Sequence, residues 1–204
     1  MTGVQTCALP ISFVILYANF LYAVRQLGDP RRYVGPQVMA SPLGSVISER
    51  TVGWLAAIAS LVLAVLTGIT LASNWETVLL YLNGVSFDYQ DAIFARDAGF
   101  YVFSLPFYDM VRSFLWSTGL ITLIGTGLIY YVHFQSMGRQ PSLTDLSALA
   151  AAPTPHRLHI AVIGAFLLVL IAVGAYLKRY ELMYQPGGLF TGPGYAEEIG
   201  RAHV

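Results

Sequence analysis

The sequence is short of charge and almost without cysteine. Only 11% of its 204 residues are charged, against ~25% in an average soluble domain. Its 11 Lys and Arg balance its 11 Asp and Glu. With no basic excess to neutralise phosphates, nothing points to a nucleic-acid partner. The single cysteine, Cys7, excludes a disulfide framework. A chain that is 56% hydrophobic is not a disordered tail, because such segments are poor in apolar residues. Catalytic motifs are missing too. There is no nucleophile elbow, HExxH pair or dinucleotide fingerprint. The glycine-rich PGGLFTGPG (Pro186 to Gly194) lacks the lysine and following helix of a phosphate loop. No catalytic residue and no cofactor is indicated. What the chain does have is apolar residues in long unbroken runs.

Both ends stand apart. MTGVQTCALPI (Met1 to Ile11) and EIGRAHV (Glu198 to Val204) read as translated sequencing-adapter DNA. The expectation is that 1–11 and 198–204 are artefacts. Residues 12–197 are then a piece of a longer chain, open at both ends. Cys7, Arg201 and His203 drop out of the chemistry, and the net charge stays zero because Glu198 and Arg201 leave together.

A bilayer core of ~30 Å needs about 20 apolar residues at ~1.5 Å each. Val52 to Ser73 is uncharged over 22 residues, and Phe114 to Val132 over 19. The latter extends naturally through Tyr108 upstream and Phe134 downstream. Leu158 to Leu177 carries only His159. Ser12 to Val24 is shorter and reads as the C-terminal half of a helix. None of these runs alternates with period two, as barrel strands would. A buried soluble helix rarely stays apolar on every face for so long. The predicted fold is therefore an all-α multi-pass transmembrane bundle. It has three full spans plus one truncated N-terminal span, at about 12–24, 52–73, 110–134 and 158–178, with short interfacial helices.

Lys and Arg in the connections set the orientation. The first and third connections hold Arg25, Arg31, Arg32, Arg50, Arg139 and Arg157. The other side holds Arg96, Arg112, Lys178 and Arg179. Connections 25–51 and 135–157 are expected in the cytoplasm and 74–109 outside it. The first connection, with GDPRR (Gly28 to Arg32), Pro36 and Pro42, reads as a turn-rich basic loop. Its arginines are topology determinants, or attract anionic lipid at ~1 kcal/mol each. In the second span Ala56, Ser60, Ala64, Gly68 and Ala72 fall every fourth residue. Such a face admits close helix approach, as an internal seam or a dimer interface. Gly119, Gly125 and Gly127 can do similar work in the third span. Asn74 to Gly84 suits a short interfacial helix with Trp75, Val78, Leu79 and Leu82 on one face. Trp75 and Tyr81 fit an aromatic belt, and Tyr101, Phe103, Phe107 and Tyr108 a second anchor.

Few residues could carry chemistry. Asp88, Asp91 and Asp97 could contribute oxygen ligands to a hard cation. Their spacing is not that of an EF-hand, and pairing with Arg96 or capping a short helix is the plainer reading. Asp109 and Arg112, at i and i+3, can pair on one helical face. His156 and His159 share one side of the last helix entrance. That spacing suits zinc, but further ligands are absent nearby, and a polar anchor at the interface explains them. No metal site is assigned. Lys178, Arg179 and Glu181 end the last span as snorkelling anchors.

Three stretches resemble one family. In Asn74 to Met110 the residues Trp75, Glu76, Asn83, Asp91, Phe94, Asp97, Phe100, Tyr101, Phe103, Leu105, Pro106 and Phe107 follow a W-E-x-x-L-x-x-x-N run and then D-P-x-F-x-x-D-x-x-F-Y-x-F-x-L-P-F. Arg179, Tyr180, Glu181, Leu182 and Tyr184 follow a D-R-Y-E-L-x-Y ending, with Lys178 in place of the acid. GPGYAE resembles the stretch after it. This pattern is similar to that of the bacterial uncharacterised protein family 0182. Ala92 replaces an expected proline and Ala95 a glycine, which makes the loop less turn-prone. The resemblance implies a multi-pass protein of the bacterial inner membrane, with a large extracytoplasmic region beyond this chain. It transfers no activity or site residues. The expected function is to anchor that missing region, with the lipid bilayer and the remainder of the chain as partners. The alternatives are a transporter or channel subunit, or an envelope enzyme whose active site lies elsewhere. Oligomeric state is left open.

Overall fold

A computed structural model describes residues 2–28, 49–136, 154–181, 186–187 and 190–191. Five helices dominate them: α1 (Thr2–Leu27), α2 (Glu49–Ala72), α3 (Trp75–Leu82), α4 (Leu105–Ser136) and α5 (Thr154–Glu181). A π-helical segment, Phe100–Ser104, leads directly into α4. Pro186–Gly187 pairs antiparallel with Phe190–Thr191. Arg31, Arg32, Pro36, Pro42, Arg139, Leu182 and Tyr184 lie outside the described residues, as do most of the string at 186–194, the GPGYAE stretch and the string at 198–204.

The all-α fold is found. Arg50–Ile69, Phe100–Phe134 and Pro155–Glu181 are long and apolar enough to cross a membrane. The first helix runs from residue 2 rather than 12 and carries Pro10 inside it. It ends where Gly28 turns left-handed at φ 76 and its N–H bonds the Arg25 carbonyl at 3.3 Å. A Cβ would be strained there, so glycine closes the helix cheaply. The third helical stretch begins earlier than 110. Its aromatic lead-in is itself helical, as the π segment. Pro106 explains the wider turn. In a regular α-turn its ring would press on the carbonyl four residues back. The Leu105 N–H instead reaches the Phe100 carbonyl, five residues back.

The chain forms two compact units. Met1–Trp75 and Phe114–Leu167 make the first, Glu76–Ser113 and Leu168–Val204 the second. In the first unit, Leu16 and Phe20 of α1 cluster with Ala56 and Ala64 of α2. Ser60 is fully buried, and its hydroxyl donates to the Ala56 carbonyl at 2.7 Å. Thr67 bonds back to Leu63 and Ala64 in the same way. Internal satisfaction of these hydroxyls lets the small face bury without orphaned donors. Gly68 lies against the Leu9 side chain. The four-residue repeat is thus a seam within the chain, facing α1.

The α4 glycines divide. A Cβ on Gly125 would stand 2.5 Å from the Phe20 ring, and one on Gly119 2.9 Å from Leu167. Gly127 meets nothing within 4 Å, so it takes no part in this packing. Outward residues of α2 and α5 are apolar and exposed, Trp54, Leu66 and Leu168 among them.

In the second unit Leu105, Leu177 and Tyr180 are buried with Phe94, Phe100 and Tyr101 around them. Helix α3 is short, as expected. Leu79 and Leu82 are exposed. Tyr81 stacks on Phe107, with centroids 4.0 Å apart, and meets Tyr108 edge-on. Aromatic stacking holds Tyr81 against these rings.

Two substitutions on α4 separate these roles. Gly125→Ala forces the Phe20 ring aside and should destabilise by about 1–3 kcal/mol. Gly127→Ala should be neutral or stabilise by up to ~1 kcal/mol. Thermal unfolding in detergent micelles, followed by circular dichroism, compares them directly.

Candidate functional site

The acidic loop is organised by its own backbone. Asp97 accepts from the Ser86 hydroxyl at 2.8 Å and from the N–H groups of Phe87 and Gly99 at 3.2 and 2.6 Å. Asp91 accepts from Ile93 and Phe94 N–H and from the Tyr101 hydroxyl. Asp88 is exposed, takes a bond from Ser86 at 3.3 Å and has φ 53. Aspartate tolerates that left-handed backbone better than most residues. Among the described residues no three His, Cys, Asp or Glu side chains are placed to hold a metal ion. Arg96 pairs with none of these acids; its guanidinium lies over the Phe100 ring.

These bonds shift the acids. For Asp97 the Ser86 hydroxyl is the main cause. It outweighs partial desolvation with help from the Phe87 and Gly99 N–H groups, and the carboxyl sits below its ordinary value. At Asp91 desolvation opposes ionisation most. The N–H groups of Phe94 and Ile93 and the Tyr101 hydroxyl together overcome it, again lowering the value.

The loop makes its turn despite Ala92 and Ala95. Ala95 N–H reaches the Asp91 carbonyl at 2.9 Å, but Ala95 is held at φ 50. The family pattern has glycine there, and the physical reason is now visible: a left-handed residue without a Cβ carries no strain.

Asp109 and Arg112 form the expected pair, at 2.7 and 3.0 Å. Arg112 also lies against Gly174 of α5, 3.0 Å from where a Cβ would be. A Cβ there would require the Arg112 side chain to shift by a few tenths of an ångström.

The histidines meet partners that their spacing did not reveal. Asn19 of α1 donates its Nδ2 to the Ile15 carbonyl at 2.7 Å, leaving Oδ1 as an acceptor. His159 Nε2 lies 3.0 Å from that oxygen, and its Nδ1 lies 2.9 Å from the Tyr130 hydroxyl. For the neutral ring this fixes the tautomer: Nε2–H donates to Asn19, and Nδ1 accepts from Tyr130. Tyr22 contacts His159 edge-on. His156 stacks on Tyr130 at 4.4 Å and faces His133 at 6.0 Å. His156 bonds the Gln26 backbone, while its Nδ1 is buried without a partner. His156 and His159 are therefore part of a network joining α1, α4 and α5, rather than surface anchors. Asn19 and His133 are visible as polar residues within the apolar runs, while Tyr130 is the member that sequence reasoning did not assign. Its signal was present. Thr118, Thr122, Thr126, Tyr130 and His133 recur at helical spacing on α4, and all are buried.

These features define a class: an all-α protein with membrane-length apolar helices whose polar side chains turn inward. The chain belongs to the Uncharacterised protein family (UPF0182), whose sequence model matches residues 2–201, a range that takes in most of both terminal strings. A UPF0182 protein of Trichlorobacter lovleyi is 32% identical over 198 residues, covering 96% of this chain and 21% of the relative. One from Synechococcus sp. (strain JA-2-3B'a(2-13)) is 36% identical over 128 residues, 63% of this chain and 14% of the relative. One from Trichodesmium erythraeum is 29% identical over 192 residues, 93% and 20%. The chain thus spans about a fifth or less of the length of these relatives. No solved structure matches it significantly.

Two outcomes test the loop. The folded values of Asp91 and Asp97 lie below the unfolded ones, so their stabilisation is complete above about pH 4 and is lost as pH falls through the folded values. The Gly99 amide resonance should therefore titrate with a midpoint below 3.8; an ordinary midpoint would contradict the Asp97 bonds. Ala95→Gly should raise the melting temperature, since relief of ~1–2 kcal/mol of left-handed strain exceeds the ~0.5–1 kcal/mol entropic cost of glycine. In the network, Asn19→Leu strands the His159 Nε2–H and should cost about 1–3 kcal/mol, read by thermal unfolding.

Proposed function

We propose that this chain is a membrane-embedded part of a longer bacterial inner-membrane protein, and that it anchors and orients an extracytoplasmic region. One observation carries the reading. The outward faces of α2 and α5 expose large apolar side chains along their length, where soluble monomers rarely expose large contiguous apolar patches. Lipid is the solvent that such faces suit. The short share of each relative that the chain covers supports a longer whole. The Lys and Arg distribution supports connections 25–51 and 135–157 in the cytoplasm and 74–109 outside.

The inward polar face of α4 favours a second reading, a transport or channel subunit. Thr118 and Thr126 have buried hydroxyls without hydrogen-bond partners. In hydrocarbon surroundings such groups commonly line a solute or water path.

A phosphatase reporter fused after Asn83 should be active outside the cytoplasm; activity only after lysis inverts the topology. For the two readings, the full-length family protein is reconstituted in liposomes. Anchoring predicts ion and solute leak no greater than that of protein-free vesicles. Robust flux, abolished by Thr122→Val or Tyr130→Phe, would replace it with transport.

A further inference from the structure

Two arginines in the second unit are held on aromatic faces instead of on carboxylates. The Arg179 guanidinium carbon lies 3.7 Å from the Tyr176 ring centre, 4.6 Å from Tyr180 and 5.6 Å from Phe94. That of Arg96 lies 5.5 Å from the Phe100 ring. Phe94 and Phe100 both pack on Tyr180, at 4.9 and 5.2 Å, so the two guanidiniums border one aromatic cluster. Neither pairs with a carboxylate among the described residues. Two acids of the loop are otherwise engaged: Asp91 by two backbone N–H groups and Tyr101, Asp97 by two N–H groups and Ser86. Arg179 Nε is buried with no hydrogen-bond partner.

Two hydroxyls adjoin this guanidinium. Arg179 Nη2 donates to the Tyr180 oxygen at 2.6 Å. The Tyr180 and Tyr176 hydroxyls share a hydrogen bond at 3.2 Å, and the Tyr176 side chain is exposed. Two positive charges beside a pair of bonded hydroxyls, with no carboxylate paired to either guanidinium among the described residues, suit a tetrahedral oxyanion. Guanidinium forks match phosphate oxygens in particular.

We propose that Arg96 and Arg179, with the Tyr180–Tyr176 hydroxyl chain, form a binding site for a phosphate-bearing anion, either a lipid headgroup or a soluble phosphate. Cation–π contacts hold the guanidiniums in place without neutralising them, so the charge stays available to the ligand. This site is separate from the histidine network and stands whether the chain anchors or transports.

The test uses the purified chain in neutral-detergent micelles. Melting temperature is measured against added phosphatidylglycerol, inorganic phosphate and, as a zwitterionic control, phosphatidylcholine. A ligand that binds only the folded state raises the midpoint saturably. The expected result is saturable stabilisation by phosphatidylglycerol or by phosphate beyond the control, with apparent affinity about tenfold weaker in Arg96→Gln and in Arg179→Lys. The lysine keeps the charge and loses the fork. Arg96 is exposed, so its variant folds even where Arg179 variants do not. Response to the lipid alone identifies a headgroup; response to inorganic phosphate identifies a soluble anion. No response above the control, or an unchanged response in Arg96→Gln, overturns the proposal.

Discussion

Close approach of α1 to α2 is the contact on which the rest of the first unit depends. It requires small side chains on α2, and Ala56, Ser60, Ala64 and Gly68 supply them. With the helices in contact, Leu16 and Phe20 bury on that face. Phe20 also covers Gly125 of α4, which brings a third helix to the same aromatic ring. Asn19, one residue away on α1, is carried to His159 of α5. Dispersion between close-packed surfaces, rather than apolar burial alone, holds helices together where the surroundings are themselves apolar. A bulkier residue anywhere along the seam would therefore be felt at the histidines.

The second unit is governed by where charge is spent. Asp91 and Asp97 are used on backbone N–H groups, which shape the loop between α3 and the π segment. That leaves the arginines to aromatic rings. Among the described residues, only Asp109 and Arg112 follow the simple rule of opposite charges one turn apart. A sequence-level count of acids and bases would have paired Arg96 with its neighbours in the loop. Hydrogen bonds to several fixed backbone donors compete well with an exposed ion pair, which is worth little.

Much of this was legible without coordinates. Runs of uncharged residues set the number and approximate place of the long helices, because a helix satisfies its backbone internally whatever surrounds it. The period-four repeat of small residues marked the face of α2 that would pack. The i, i+3 relation marked the Asp109–Arg112 pair. In each case local geometry alone brings the residues together. The partner of Tyr81 on α3 was not legible, for the opposite reason. Several apolar stripes are possible on WETVLLYL, and Phe107, twenty-six positions after Tyr81, selects one by stacking.

The same division holds for the site. By itself the sequence determined an all-α chain with membrane-length apolar helices, a family pattern and a glycine-like position at Ala95. The helices follow from composition, period and spacing, which act over a few residues; the pattern and the Ala95 position follow from the family resemblance. Only tertiary structure decided that His156 and His159 join Asn19, Tyr130 and His133. It alone decided that the loop acids serve the backbone, and that Arg179 rests on tyrosines. Each of those outcomes is a choice among competing partners far apart in sequence. Packing makes that choice, because it fixes which donor reaches which acceptor first.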